Sequence, residues 1–167
     1  MNGEPTVLVV MGVSGVGKTT LAKALAARLD WPFQEGDDLH PAANIAKMKA
    51  GIPLTDADRG PWLDAIAAWI DGQLGAGRCG VITCSALKRA YRDRLAAGRP
   101  RVTFVFDQLG EAAAAARIAG RKGHFMPPSL LASQFADLEP PGPDEPVITV
   151  DGASPIEAQV GTVVAAL

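Results

Sequence analysis

Apolar residues fall in short runs along this chain, separated by longer stretches in which apolar positions recur every three or four residues. The runs are Val7–Met11, Trp31–Phe33, Val81–Cys84, Val102–Phe106 and Val147–Val150. None alternates apolar with polar, which predicts strands covered on both faces and therefore a parallel sheet wrapped by helices. Helical periodicity covers Lys18–Leu29, Ala42–Ala50, Pro61–Leu74, Lys88–Ala97, Glu111–Gly120, Ser129–Ala136 and Pro155–Leu167. Strands thus alternate with helices from end to end, the pattern of an α/β fold. The run Ala112–Ala116 reads as a helix face, because alanine is the best helix former.

Composition narrows this picture to one unit. A length of 167 residues, 48% hydrophobic, fits a single domain over 1–167 with one principal site. Sixteen basic and 18 acidic residues leave a net charge of -2, so neither a nucleic-acid nor a membrane partner is expected. No apolar stretch approaches the ~20 residues of a membrane span. Met1-Asn2-Gly3-Glu4-Pro5 also lacks the basic start of a signal peptide, so a soluble, cytoplasmic protein is expected. Cys79 and Cys84 have neither metal-ligand nor redox spacing and are expected to be reduced, partly buried thiols. No repeat appears, and the Gly/Pro clusters at 51–53, 98–100 and 139–143 mark loops inside the domain.

Between the first strand and the first helix stands Gly12-Val13-Ser14-Gly15-Val16-Gly17-Lys18-Thr19, followed by Thr20. This is the pattern G-x-x-x-x-G-K-[ST] in the strand-to-helix context it requires. Glycines let the backbone curl with its N–H groups inward, and the helix N-terminus adds partial positive charge, so the loop suits a polyphosphate. Lys18 is placed to reach the β- and γ-phosphates, and the Thr19 hydroxyl to ligate Mg²⁺. The guanine-reading Asn-Lys-x-Asp is absent, as is a helicase-like second signature. A short kinase remains, in which a second substrate binds opposite the loop and a lid excludes water.

Polar clusters follow the later strands. Asp37, Asp38 and His40 stand past the second strand, where a carboxylate can accept the proton of an attacking hydroxyl or help hold the metal; the alternative is a turn that caps the helix after Pro41. Arg59 lies in a loop leading to the helix at Pro61. It either pairs with Asp58 at the surface or forks onto a substrate carboxylate. Trp62 and Trp69, seven apart, share a helix face and are expected in the core. Ser85 and Lys88 are candidates for hydrogen bonds to a polar substrate. Alternatively, Ser85 caps the next helix and Lys88, Arg89 and Arg92 are solvated. Arg117, Arg121, Lys122 and His124 crowd a helix end beside Gly123. Cations there suit the helix dipole, and they also suit a movable, arginine-bearing lid.

Taken together, these stretches resemble the small P-loop gluconokinases. The resemblance rests on Gly12–Thr19, on Glu35–Pro41 with Asn44 and Lys47-Met48, and on Asp56–Arg59 with Trp62-Leu63. It continues through Cys84–Lys88 with Tyr91-Arg92, then His124–Met126 with Ser133-Gln134-Phe135 and Leu138-Glu139, in order from about residue 7 to 141. It implies a three-layer α/β/α kinase fold with a five-stranded parallel sheet, a helical substrate-binding region and a lid. It further implies transfer of the ATP γ-phosphoryl to the 6-hydroxyl of D-gluconate with Mg²⁺, and it allows a homodimer. Carried onto this chain, Gly12 to Thr20 bind ATP, Asp37 is the base or hydroxyl acceptor, and Arg59 clamps the carboxylate. Arg117 and Arg121 belong to the lid side and steady the transferring phosphoryl. His40, Ser85, Lys88, His124 and Gln134 complete the polar surroundings of a small hydroxylated anion. One stretch departs from the family pattern: Val105-Phe106-Asp107-Gln108 has an acid where an apolar residue is expected, with the Asp expected one position later. Asp107 thereby becomes a rival carboxylate for Mg²⁺.

Overall fold

The computed structural model describes residues 3–13, 15–120 and 128–167. Five parallel strands, β1 (Val7–Met11), β2 (Phe33–Gln34), β3 (Gly80–Thr83), β4 (Val102–Gln108) and β5 (Val147–Asp151), form one sheet in the order β2-β3-β1-β4-β5. The helices among the described residues are α1 (Lys18–Leu29), α2 (Ala42–Lys49), α3 (Asp56–Gly75), α4 (Arg89–Ala96), α5 (Glu111–Ala119), α6 (Pro128–Asp137) and α7 (Ile156–Ala166). None is long and apolar enough to cross a membrane.

The apolar runs are explained by the two faces they serve. Val7, Val9 and Met11 of β1 pack with Trp62, Leu63, Ile66 and Ile70 of α3 and with Tyr91 and Leu95 of α4. The intervening Leu8 and Val10 pack on the other side with Leu21 and Leu25 of α1 and Val163 of α7. Successive strand side chains point to opposite faces, so a sheet between two helical layers needs apolar residues at every position of its central strand. The chain runs from β1 out to β2, back to β3 beside β1, and then across to β4. The carboxyl end of β1 is therefore where strand order reverses, the position at which open α/β sheets bind ligands.

Most element ends fall within one or two residues of the sequence reading, and three differences bear on the site. α3 begins at Asp56, not Pro61, because Thr55 and Asp58 form a reciprocal capping box. Pro61 consequently lies in the second turn, and Asp58 and Arg59 sit on a helix rather than in a loop. β2 is Phe33–Gln34, displaced from Trp31–Phe33, since the Trp31 N–H still bonds to the Ala26 carbonyl at the end of α1. α4 starts after Lys88, so Ser85 is not its cap. Trp62 is 1% exposed, and Trp69 packs against the backbone of Gly80, as a core face requires.

Candidate active site

The loop between β1 and α1 curls tightly. Gly12, Gly15 and Gly17 have φ of 144°, 84° and 107°, a region that side chains rarely adopt, and a Cβ on Gly12 would stand 2.9 Å from the Asp107 carbonyl oxygen. The Lys18 ammonium, at the start of α1, donates to the carbonyls of Gly12 (2.9 Å) and Val13 (3.0 Å). Burial lowers the Lys18 pKa, while the carboxylates of Asp37, Asp107 and Glu35 act in the opposite direction. This lysine is thus a cation folded back on its own loop, its ammonium held by two carbonyl dipoles.

The Thr19 hydroxyl donates to Glu35 Oε2 at 2.6 Å. Glu35 Oε1 accepts from the Thr83 hydroxyl at the end of β3, and Thr83 Oγ1 accepts the Gly36 N–H at 2.8 Å. A Cβ on Gly36 would overlap the Thr83 carbonyl oxygen, so glycine is required for this approach. Thr19, Glu35 and Thr83 thereby form one oxygen-rich edge of the crevice. The carboxylate that reaches Thr19 is Glu35, on the β2–β3 side, and not Asp107 on β4.

Asp107 serves a different space, a cavity of about 200 Å³ lined by Gly17, Thr20, Asp107, Arg117, Gly152 and Gln159, among others. Arg117 spans its wall, donating to the Val16 carbonyl and to the Gly152 carbonyl (2.9 Å). Asp107 is 2% exposed, and its Oδ1 has no hydrogen-bond partner among the described residues; neither has Gln159 Oε1. Burial pushes the Asp107 pKa up to about 6 against the pull of Lys18 and Arg117.

Across the crevice, the 3-10 turn Gly36–Leu39 presents Asp37 with a side chain 70% exposed. Neither Asp37 nor Asp38 caps α2, whose N-cap is Pro41. His40 stacks on Trp62 at 4.2 Å, and the indole N–H of Trp62 bonds the Gly36 carbonyl at 2.9 Å. The Asn44 amide donates to the Asp58 carbonyl (2.8 Å) and lies 3.2 Å from His40 Nδ1, which makes Nδ1 an acceptor and puts the ring proton on Nε2, 3.9 Å from Asp37 Oδ1. Burial lowers the His40 pKa, so the ring is neutral at pH 7.

Arg59 is 8% exposed; it bonds the Tyr91 hydroxyl oxygen (3.0 Å) and Asp137 Oδ2 (3.2 Å). Asp56 Oδ1 accepts from the Tyr91 hydroxyl and from Lys88 Nζ (3.0 Å). Asp58 is paired with Lys47 at 2.7 Å, so the surface pair Asp58–Arg59 does not form.

Comparison with known proteins gives this constellation its context. A family model described as "AAA domain" matches residues 7–141. The chain is 56% identical over 152 residues to a gluconokinase of Gluconobacter oxydans, covering 91% of this chain and 85% of that relative. The chain belongs to the gluconokinase family. Within that family, the thermoresistant gluconokinase of Escherichia coli is 40% identical over 164 residues, 98% of this chain and 94% of the relative. The crystal structure of a gluconokinase from Sinorhizobium meliloti superposes with a TM-score of 0.87 at 46% identity, covering 96% and 90% of the two chains.

For this gluconokinase-family chain, the structure brings Lys18, Thr19, Asp37 and His40 around the carboxyl ends of β1 and β2, with Arg59 and Lys88 joined through the Tyr91–Asp56 contacts. Ser85 is half-buried, and its carbonyl accepts the Gly12 N–H at 3.2 Å. Arg117 is tied to the back of the phosphate loop and to the β5–α7 turn. Gln134 is half-buried on α6. Ser14, Arg121 and His124 lie outside the described residues. Arg92, read as a candidate solvated cation, is 1% exposed and paired with Glu145. Sequence reasoning missed Glu35 as a site residue, although its place as the first acid after β2 was a signal.

Proposed function

We propose that this chain transfers the γ-phosphoryl group of ATP to the 6-hydroxyl of D-gluconate, yielding 6-phospho-D-gluconate and ADP. The observation that carries the reading is a Gly-rich strand-to-helix loop whose Lys18 feels the charge of an exposed Asp37, in a chain that buries Arg59 and is 56% identical to a gluconokinase.

Residues Gly12 to Thr20, Ser14 included, would surround the polyphosphate, with Arg117, tied to the Val16 carbonyl, beside them on the nucleotide side. Mg²⁺ fits the Thr19–Glu35 edge: both donors are hard oxygens, and this ion takes one or two protein ligands with phosphate oxygens completing its shell. When bound, it would neutralise charge on the phosphates. Asp37 would accept the 6-hydroxyl proton as the O6–P bond forms and the bond to ADP breaks, and Lys18 would hold the charge on the terminal oxygens. Arg59 would clamp the substrate carboxylate, with His40, Ser85, Lys88, His124 and Gln134 toward its hydroxyls, and Arg121 would steady the transferring phosphoryl group. Reduced Cys79 and Cys84 support a cytoplasmic setting.

ADP release, measured over a panel of sugar acids with ATP and Mg²⁺, tests this reading. Turnover is expected with gluconate, and Lys18→Ala and Asp37→Asn should each lower kcat by at least ~10²-fold. Background rates with gluconate alongside turnover of another acceptor would refute the substrate; near wild-type kcat in Asp37→Asn would refute the base.

A further inference from the structure

Arg59 is buried, and its guanidinium already carries a carboxylate of the chain itself. Its Nη2 lies 3.2 Å from Asp137 Oδ2 at the end of α6, while its Nη1 bonds the Tyr91 hydroxyl oxygen. The second cation of this wall, Lys88, is likewise paired with Asp56 at 3.0 Å. The cluster holds two cations and two carboxylates and is neutral as it stands. A substrate carboxylate therefore cannot simply add to the clamp; it has to replace an internal acid.

We propose that Asp137 is a placeholder for the substrate carboxylate: it pairs Arg59 while the site is empty and yields that position when an aldonate binds. The inference rests on the reading of Arg59 as the carboxylate clamp. Two features of the fold suit Asp137 to this exchange. Its side chain is 30% exposed while that of Arg59 is 9% exposed, so the displaced carboxylate turns into water at little desolvation cost, whereas an unpaired Arg59 would be an uncompensated buried charge. The backbone beyond it is held independently, by the Glu139 N–H on the Leu87 carbonyl (2.8 Å) and by Arg92 on the Glu139 carbonyl (2.9 Å), so the side chain can leave without unseating α6. Asp56 is less suited, because it contacts Lys88 and Tyr91 and not the guanidinium.

Asp137 thus sets substrate affinity by competition. It is a positioning residue, acting through Arg59. Calorimetric titration of the full chain with gluconate, and with the neutral polyol D-glucitol as comparator, tests the idea. Asp137→Asn should tighten gluconate binding about threefold to tenfold, the scale of a half-exposed ion pair, and lower KM by a similar factor with kcat little changed. D-glucitol binding should not move, and Asp137→Glu should restore the wild-type values. A role confined to stability would shift the melting temperature without separating the two ligands. Arg59→Ala serves as the control on the underlying reading. If Arg59→Ala weakens gluconate but Asp137→Asn leaves it unchanged or weaker, the placeholder is refuted and the clamp stands. If Arg59→Ala leaves gluconate binding unaltered, the clamp itself fails and the placeholder with it.

Discussion

Asp107 is the residue whose chemistry is least reconciled with its surroundings. It sits at the buried end of β4 with one carboxylate oxygen unpartnered among the described residues, at a position where an apolar side chain is expected. Burial raises its pKa from an ordinary 3.8 to about 6, which corresponds to about 3 kcal/mol between the two protonation states. The direction of the linkage follows. Below pH 3.8 both folded and unfolded chains hold the proton; as pH rises toward 6 the unfolded chain releases it first, so stability falls across that window. Asp107→Asn should therefore raise the melting temperature at pH 8 relative to the wild type, and the gain should vanish near pH 4. Thermal unfolding at the two pH values decides it; an equal effect at both would mean that the ionised carboxylate is not the source of the strain. At this scale the sequence was informative where chemistry is local. The glycines, Lys18 and Thr19 are legible because one short loop supplies the whole cradle. Glu35 was missed because its role depends on Thr19 and Thr83, brought to it by two other elements.

At the scale of the element, the strands were legible because a central parallel strand must be apolar on both faces, and β1 is buried throughout. The start of α3 was not. Proline favours the first helical position, and that preference pointed to Pro61, but the Thr55–Asp58 box satisfies the orphan N–H groups one turn earlier. The difference matters to the site, since the added turn places Asp56 beside Lys88 and Tyr91, and Arg59 beside Asp137. Thr55→Ala removes the hydroxyl acceptor and should cost about 1 kcal/mol of stability in denaturant unfolding. Because Asp58 also loses its reciprocal partner, Arg59 should be held less firmly and KM for gluconate should rise while KM for ATP stays constant. A stability loss with no separation of the two KM values would show that the cap supports the helix alone.

At the scale of the whole molecule, the segment 139–146 ties the helical layer to the sheet. Its Pro/Gly composition marked it correctly as a loop but gave no sign that it is anchored in the interior. Arg92 of α4 is the anchor: it pairs with Glu145 through Nε (2.6 Å) and also bonds the carbonyls of Ala86, Leu87 and Glu139. One of the two alternatives left open by the sequence has it solvated, because the partner that neutralises it lies 53 residues away. With Arg92 1% and Glu145 4% exposed at the side chain, neither charge can be left alone in this environment. The guanidinium holds the Glu145 carboxyl below its ordinary pKa, so this contribution is present at neutral pH and is lost as pH falls through the lowered value. Arg92→Leu should destabilise the fold by about 3–5 kcal/mol, as breaking a buried pair does. Removing both charges in Arg92→Leu/Glu145→Leu should recover part of that loss, because the stranded carboxylate is what makes the single change severe. Equilibrium urea unfolding of the two variants checks the argument: a double variant less stable than Arg92→Leu alone would mean that the carbonyl contacts of Arg92 and the Gly142 N–H on Glu145, rather than the paired charges, hold this loop to the sheet.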